Sequence, residues 1–187
     1  MIHMKIIVFT GMPFAGKSIA VDVARAKNIP VIRMGDFVWE ETRRQGKPLT
    51  ADEVGAVADT MREKEGKDVW ARRTVDALKR YRRLPLLIID GARNPEEITY
   101  FKEKLGADCH VVAIIAPDEL RYQRARERGR VDDSTSHADI AERDRRETGW
   151  GLPKVIAAAD VTLHNDGSLV SFQTQVERII KLLASRR

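Results

Sequence analysis

Apolar residues fall along this chain in two alternating rhythms. Short, nearly uninterrupted runs occur at Lys5–Thr10, Pro30–Met34, Leu84–Asp90, His110–Ala116 and Asp160–Leu163. Runs without a polar break read as strands buried on both faces, as in a parallel sheet. Leu84–Asp90 (LPLLIID) is the clearest, apolar until it stops at an acid. Between the runs, apolar residues recur at helical spacing. They do so at Ile19, Ala20, Val23 and Ala24 within Ser18–Lys27, over Glu96–Leu105 behind an Asn94-Pro95 turn, and over Asp118–Arg128 behind Pro117. Ala138–Thr148 is helical again, after a polar, turn-like Gly129 to His137. Beyond an Asn165-Asp166-Gly167 turn, Leu169, Phe172, Val176, Ile179, Ile180 and Leu183 form a last stripe. Strands alternating with helices predict an α/β three-layer sandwich, with about five parallel strands and helices on both faces.

One stretch breaks the alternation. Trp39 to Arg83 is charged, with helical spacing at Val54, Val57 and Met61 and again at Val69, Val75 and Leu78. Gly46-Lys47-Pro48 and Gly66 punctuate it. It predicts a helical insertion over residues 37–83 within a single domain, 1–187. No repeat or low-complexity linker is visible. No apolar run approaches the roughly 18 residues of a membrane span, and Ile6–Phe9 is too short for a signal peptide. The expectation is a cytoplasmic protein with no membrane partner. The single cysteine, Cys109, excludes an internal disulfide and reads as a small buried hydrophobe. His137 has no partner at metal-ligand spacing, and no Cys/His cluster exists.

The net charge of +5, from 33 Lys+Arg against 28 Asp+Glu, is a modest excess. Arginine is densest between Arg121 and Arg146, interleaved with acids, whereas a nucleic-acid tail would lack those acids. Nucleic acid is therefore not the favoured partner. Arg121, Arg124 and Arg128 share one helix face, which suits a common anionic ligand, although solvation and pairing with Asp118 and Glu127 would use them equally well.

The chemistry concentrates at Gly11-Met12-Pro13-Phe14-Ala15-Gly16-Lys17-Ser18, with Ile19 just inside the following helix. This is G-x-x-x-x-G-K-[ST], the P-loop, and it has a strand before it and a helix after it. Backbone N–H groups at a helix start meet phosphate charge. Gly11 and Gly16 permit close approach, Lys17 brings a point charge to the outer phosphates, and the Ser18 hydroxyl is suited to Mg²⁺. Asp90, closing an apolar strand, is placed as a second Mg²⁺-orienting group. A nucleotide donor, ATP or GTP, with Mg²⁺ is the expected cofactor set.

Three further segments carry a resemblance. Asp90-Gly91-Ala92-Arg93 resembles the Asp-Gly-Phe-Pro-Arg segment of adenylate kinase and its nucleoside-monophosphate kinase relatives, one residue shorter. Met34-Gly35-Asp36 resembles their Thr-Gly-Asp turn, and Arg130-Val131-Asp132-Asp133 with Arg143 resembles their lid. As a whole the chain looks most like an archaeal family of adenylate-kinase-related and dephospho-coenzyme-A-kinase-related proteins. The resemblance implies a P-loop kinase acting on a small phosphorylated acceptor. Arg93 would bind the acceptor's phosphate, and Arg130 and Arg143 would close over the transferring group. Arg124 or Arg126 would reach donor phosphates or the base, and Asn165 and Gly167 would border the donor purine. Residues 37–83 would bind the acceptor, and 121–146 would form a short lid held by Asp132 and Asp133.

The departures are specific. Trp39 stands three residues after Asp36, where the pattern has arginine, and Met34 replaces the threonine. Trp39 either stacks on an acceptor base or packs the insertion. Asp36 would orient a phosphate acceptor, or accept a proton from a hydroxyl acceptor of dephospho-coenzyme-A type. A nucleotide-switched, RNA-binding protein is the remaining alternative. Arg62, Arg72 and Arg73 are expected to face water, and Trp70 and Trp150 to pack.

Overall fold

Strand β1 (Lys5–Thr10) pairs in parallel with two others, β3 (Leu86–Asp90) on one side and β4 (Cys109–Ile115) on the other. The short β2 (Val31–Arg33) extends the sheet beyond β3, and β5 (Val161–His164) extends it beyond β4. The order β2-β3-β1-β4-β5 is wholly parallel. The structure, a computed structural model, describes residues 4–81, 83–128 and 136–185. The lid residues Arg130, Asp132 and Asp133 lie outside them.

Alternate residues of the central strands feed two cores. Ile6, Val8, Leu87, Ile89 and Val111 point to one face. Ile7, Phe9, Ile88, Val112 and Ile114 point to the other, against α1 (Lys17–Ala26) and α9 (Leu169–Ser185), where Phe172, Val176 and Ile180 complete the packing. The first face is covered by α5 (Pro95–Leu105) and by the insertion, which consists of α2 (Met34–Arg44), α3 (Ala51–Glu65) and α4 (Val69–Leu78). The insertion shares this core: Trp70, Met61 and Val57 join Leu87, Ile89 and Phe101 in one apolar cluster. It is welded to the sheet by buried apolar surface.

Several boundaries differ from the sequence pattern. The insertion starts at Met34, because that buried side chain already belongs to the first turn of α2. The strand expected over Leu84–Asp90 starts at Leu86. α7 (His137–Gly149) follows α6 (Asp118–Arg128) across the undescribed segment. The short helix α8 (Leu152–Ala157) was not legible, because six residues with Gly151 and Pro153 at their start leave no periodic stripe. Of three arginines expected in water, Arg62 is an internal strut, while Arg72 and Arg73 are half-buried and paired. Arg62 is 8% exposed and pairs with the buried Glu97, Arg73 bonds Glu41 and Glu65, and Arg72 bonds Asp68. Among the described residues no helix is long and apolar enough to cross a membrane.

The turn after β3 is set by a capping box. Asn94 Oδ1 accepts from Glu97 N at 2.8 Å, and Glu97 Oε2 accepts from the backbone N–H groups of Arg93 and Asn94. Asn94 Nδ2 also donates to the Lys67 carbonyl at 3.0 Å, tying α5 to the α3–α4 turn. Asn94→Ala removes both ties and is expected to cost about 1–2 kcal/mol in urea unfolding. An unchanged midpoint would mean the cap does not hold this turn.

Candidate functional site

The candidate site lies beyond the carboxyl ends of the strands, where the chain order reverses about β1. In open parallel sheets this crevice is where ligands sit. β1 delivers residues 11–16 into it, and β2 and β3 deliver Arg33 and Asp90, which are paired in register. Gly11 has φ +144 and Gly16 has φ +114, backbone that favours glycine. A Cβ on Gly11 would come within 2.2 Å of the Ile114 carbonyl oxygen, and one on Gly16 within 2.1 Å of Asn165 Nδ2. The sheet floor and β5's end thus require both glycines.

The loop is held from outside. Asn165, 2% exposed, donates from Nδ2 to the Ala15 carbonyl at 2.9 Å. Arg121, also buried, donates to the Pro13 carbonyl at 2.9 Å and makes a two-pronged contact with Asp144 of α7 at 3.0 and 2.7 Å. Phe14 adopts φ +61 and buries its ring with Ala125 and Ile140, with the Arg143 guanidinium 5.5 Å from the ring centre. Loop, α6 and α7 are thereby one packed unit.

Within the cleft, Lys17 Nζ donates to the Gly11 and Met12 carbonyls at 2.5 and 2.9 Å. Ser18 and Ile19 line the cleft at the start of α1. Asp90 faces Lys17 from the end of β3, with Arg33 Nε at 3.7 Å from Oδ2, while its buried Oδ1 has no partner among the described residues. Burial pushes the Asp90 carboxyl up, against the pull of Lys17, Arg33 and Arg93. Arg124 donates to the Asn165 carbonyl at 3.0 Å and keeps a buried Nη1 with no partner among the described residues beside the cleft.

Arg93 and Arg143 meet on one carboxylate, Glu147. Arg143 Nε donates to Oε1 at 3.2 Å, and Arg93 Nε lies 3.3 Å from Oε2. Glu147 is 3% exposed. Its burial acts to raise the carboxyl, but Arg93, Arg143 and Lys17 outweigh it and hold Glu147 below the ordinary carboxylate range. Sequence reasoning missed Glu147. The one available signal was its position four residues after Arg143, the spacing of a helical ion pair.

The cleft, about 260 Å³, continues into a narrower space of about 50 Å³ between α2, α3 and α7. Gly35, Trp39, Arg93, Arg143 and Glu147 border both. The second space has Val38, Val54 and Ala58 on its floor and Trp39, Trp150 and Arg146 on its walls. Trp150, expected only to pack, lines it while donating to the Asp59 carboxylate, with the Arg62 guanidinium 4.1 Å from its ring centre.

Other candidates stand apart. Asp36 is exposed, 3.6 Å from Arg33, and borders neither space. Arg126 is exposed and outside the cleft lining, and Gly167 faces open space. Asn165 braces the loop with its amide instead of turning it toward the cleft. Arg130 falls outside the described residues. Among the described residues no group of three His, Cys, Asp or Glu could by itself hold a metal. Yet the unpartnered Asp90 Oδ1 with the Ser18 hydroxyl fits a Mg²⁺ held partly by phosphate oxygens.

A family profile described as an AAA domain matches residues 10–140. The chain is 40% identical over 184 residues to a UPF0200 protein of Methanothrix thermoacetophila, across 96% of this chain and 98% of that one. It is 43% identical over 177 residues to a UPF0200 protein of Thermoplasma volcanium, across 95% of each. A UPF0200/UPF0201 protein of Archaeoglobus fulgidus is 40% identical across 98% of this chain, which spans only 57% of that longer relative. Among solved structures, a Thermus thermophilus protein is similar with a TM-score of 0.65 at 19% identity, covering 97% of this chain and 98% of its own. Shikimate kinase from Acinetobacter baumannii, in complex with shikimate, is similar with a TM-score of 0.59 at 17% identity, covering 98% and 95%. The architecture is that of P-loop kinases, and a P-loop fold of this kind binds nucleotide with Mg²⁺ in general.

Burial lowers Lys17 from 10.5 to about 8, although Glu147 and Asp90 pull it back up. Between those two values the unfolded chain holds this proton more often than the folded one, so stability from Lys17 rises with pH. Lys17→Met is expected to stabilise the ligand-free protein at pH 7, with the advantage shrinking as pH climbs from 8 toward 10.5. Urea unfolding of both proteins across that window checks it; a gap that stays constant or widens refutes it.

Proposed function

The chain belongs to the UPF0200 family and to the AAA-domain family of P-loop proteins, and on that premise we propose that it is a small-molecule kinase. It transfers the γ-phosphoryl group of ATP to a nucleoside monophosphate or similar nucleotide. One observation carries the reading: two adjoining spaces, one floored by the P-loop and Lys17 and one walled by tryptophans, meet at Arg93, Arg143 and Glu147. A switch protein has no need of the second space, whereas a transferase needs a second substrate at the end of the first.

The loop's backbone N–H groups and Lys17 would receive the donor phosphates, and the unpartnered Nη1 of Arg124 is available to the same charge. Ser18 and Asp90 would hold Mg²⁺, which when bound supplies neutralisation of phosphate charge. An acceptor phosphate oxygen would bond to the γ-phosphorus as the bond to the β–γ bridging oxygen breaks, so ADP leaves and no proton has to move. Arg93 and Arg143 would orient both phosphates and stabilise charge at the junction. Arg130 would join them from the lid.

The acceptor's ring would lie between Trp39 and Trp150, with Arg146 beside it. At about 50 Å³ that space is far short of a nucleotide pocket, so its walls must open on binding and close again to exclude water. Asp36, exposed and paired with Arg33, is better placed to orient a ligand at the rim than to act as a base.

The test is incubation with Mg²⁺ and γ-labelled ATP or GTP against a panel of nucleoside monophosphates and dephospho-coenzyme A. Label is expected on a monophosphate, with transfer reduced by about 100-fold or more in Lys17→Ala. Label on a hydroxyl would replace the acceptor class. Label in free phosphate alone, with every acceptor tried, would overturn the kinase reading and leave a P-loop nucleotide binder.

A further inference from the structure

Among the described residues, Glu147 is the one carboxylate that borders both spaces. It takes the Nε edge of each of two guanidiniums reaching it from different parts of the fold, Arg93 from the loop after β3 and Arg143 from one turn earlier on α7. Its backbone is fixed by α7, which Arg121 locks to the P-loop by bonding both Asp144 and the Pro13 carbonyl. Arg93 is fixed independently, because its backbone N–H donates to the buried Glu97 at 2.7 Å. A carboxylate so held presents two oxygens to two arginines, which is also how a phosphate group engages an arginine pair.

We propose that Glu147 is a specificity-determining positioning residue: a built-in anion that aligns Arg93 and Arg143 and competes with phosphate for them. This rests on the reading of the cleft as a phosphate-handling site. A lone phosphate must displace or share the Glu147 contacts, so it gains little. A phosphate on a molecule also anchored elsewhere, in the P-loop or between the tryptophans, can meet that cost from its other contacts. The residue thereby disfavours free inorganic phosphate at the junction and keeps the arginines aligned for transfer.

The experiment is calorimetric titration of the wild-type protein, Glu147→Gln and Glu147→Asp with inorganic phosphate, alongside transfer kinetics in the label assay. Removing the charge takes away the carboxylate that Arg93 and Arg143 share, so Glu147→Gln is expected to bind inorganic phosphate about tenfold more tightly. Its transfer rate at saturating substrates is expected to fall, with KM for the acceptor changing less. Glu147→Asp keeps the charge and the fold but sits one methylene short of both contacts, so its phosphate affinity is expected to rise by a smaller factor. Phosphate affinity equal to wild type in both variants, or equally raised in both, would overturn the proposal. So would a Glu147→Gln protein with an undiminished transfer rate. If no protein in the series transfers label, the kinase reading fails while the phosphate titrations still decide the role of Glu147.

Discussion

A cleft that gathers Lys17, Arg33, Arg93, Arg124 and Arg143 has to hold like charges close together in a poorly screened interior. The neighbouring structure is arranged around that electrostatic cost. Lys17 is turned onto two loop carbonyls. Arg33 leans toward Asp90 and Asp36, Arg124 donates to the Asn165 carbonyl, and Arg93 and Arg143 share Glu147. Among the described residues, Asp90 and Glu147 are the acids set into the cleft, and both act on Lys17 and Arg93. The arrangement leaves the cleft lining with more cations than acids, which is what an anionic ligand requires.

Holding these charges in place demands rigidity behind them. The P-loop is braced on one side by Asn165 and on the other by Arg121, and Phe14 plugs it into the apolar contact of α6 with α7. Arg121 shows how a charge is held there: its buried guanidinium is met by Asp144 and Asp118, each at 2.7 Å, and by the Pro13 carbonyl at 2.9 Å. The loop after β3 is braced through Glu97, which Arg62 meets from α3. Arg62 then stacks on Trp150, whose indole donates back to Asp59 of α3. The insertion, the Arg93 loop and the end of α7 are therefore mechanically linked, so a movement of α3 would be felt at Arg93.

The insertion plays two structural parts. α4 carries Trp70 into the core beneath the sheet and does not depend on the cleft. α2 and α3 turn Trp39, Val54 and Gly55 toward α7, where Arg146 packs over Gly55. The same excursion thus anchors at one end and borders the second space at the other, a division that its even charge pattern conceals.

The chain's own sequence determined the features that depend on near neighbours. The apolar runs marked all five strands within a few residues, since two-sided burial demands unbroken apolar sequence. The P-loop declared itself in eight residues, because its work is done by backbone and by side chains adjacent to that backbone. Asp90 stood out as the acid that ends an apolar strand, whereas Arg93 was marked only by a resemblance. What the tertiary structure alone decided were partnerships between residues distant in sequence. Glu147 became part of the site because the sheet order brings α7 over the loop after β3. Asn165 and Arg121 became braces, and Arg62 a strut, because burial left each a single region of partners. Trp150 gained a face toward the second space, and Asp36 was left at the rim. Beyond a helical spacing such as that of Arg143 and Glu147, a charged side chain carries no local sign of its eventual partner; burial selects that partner only once the strands have set which helices lie side by side.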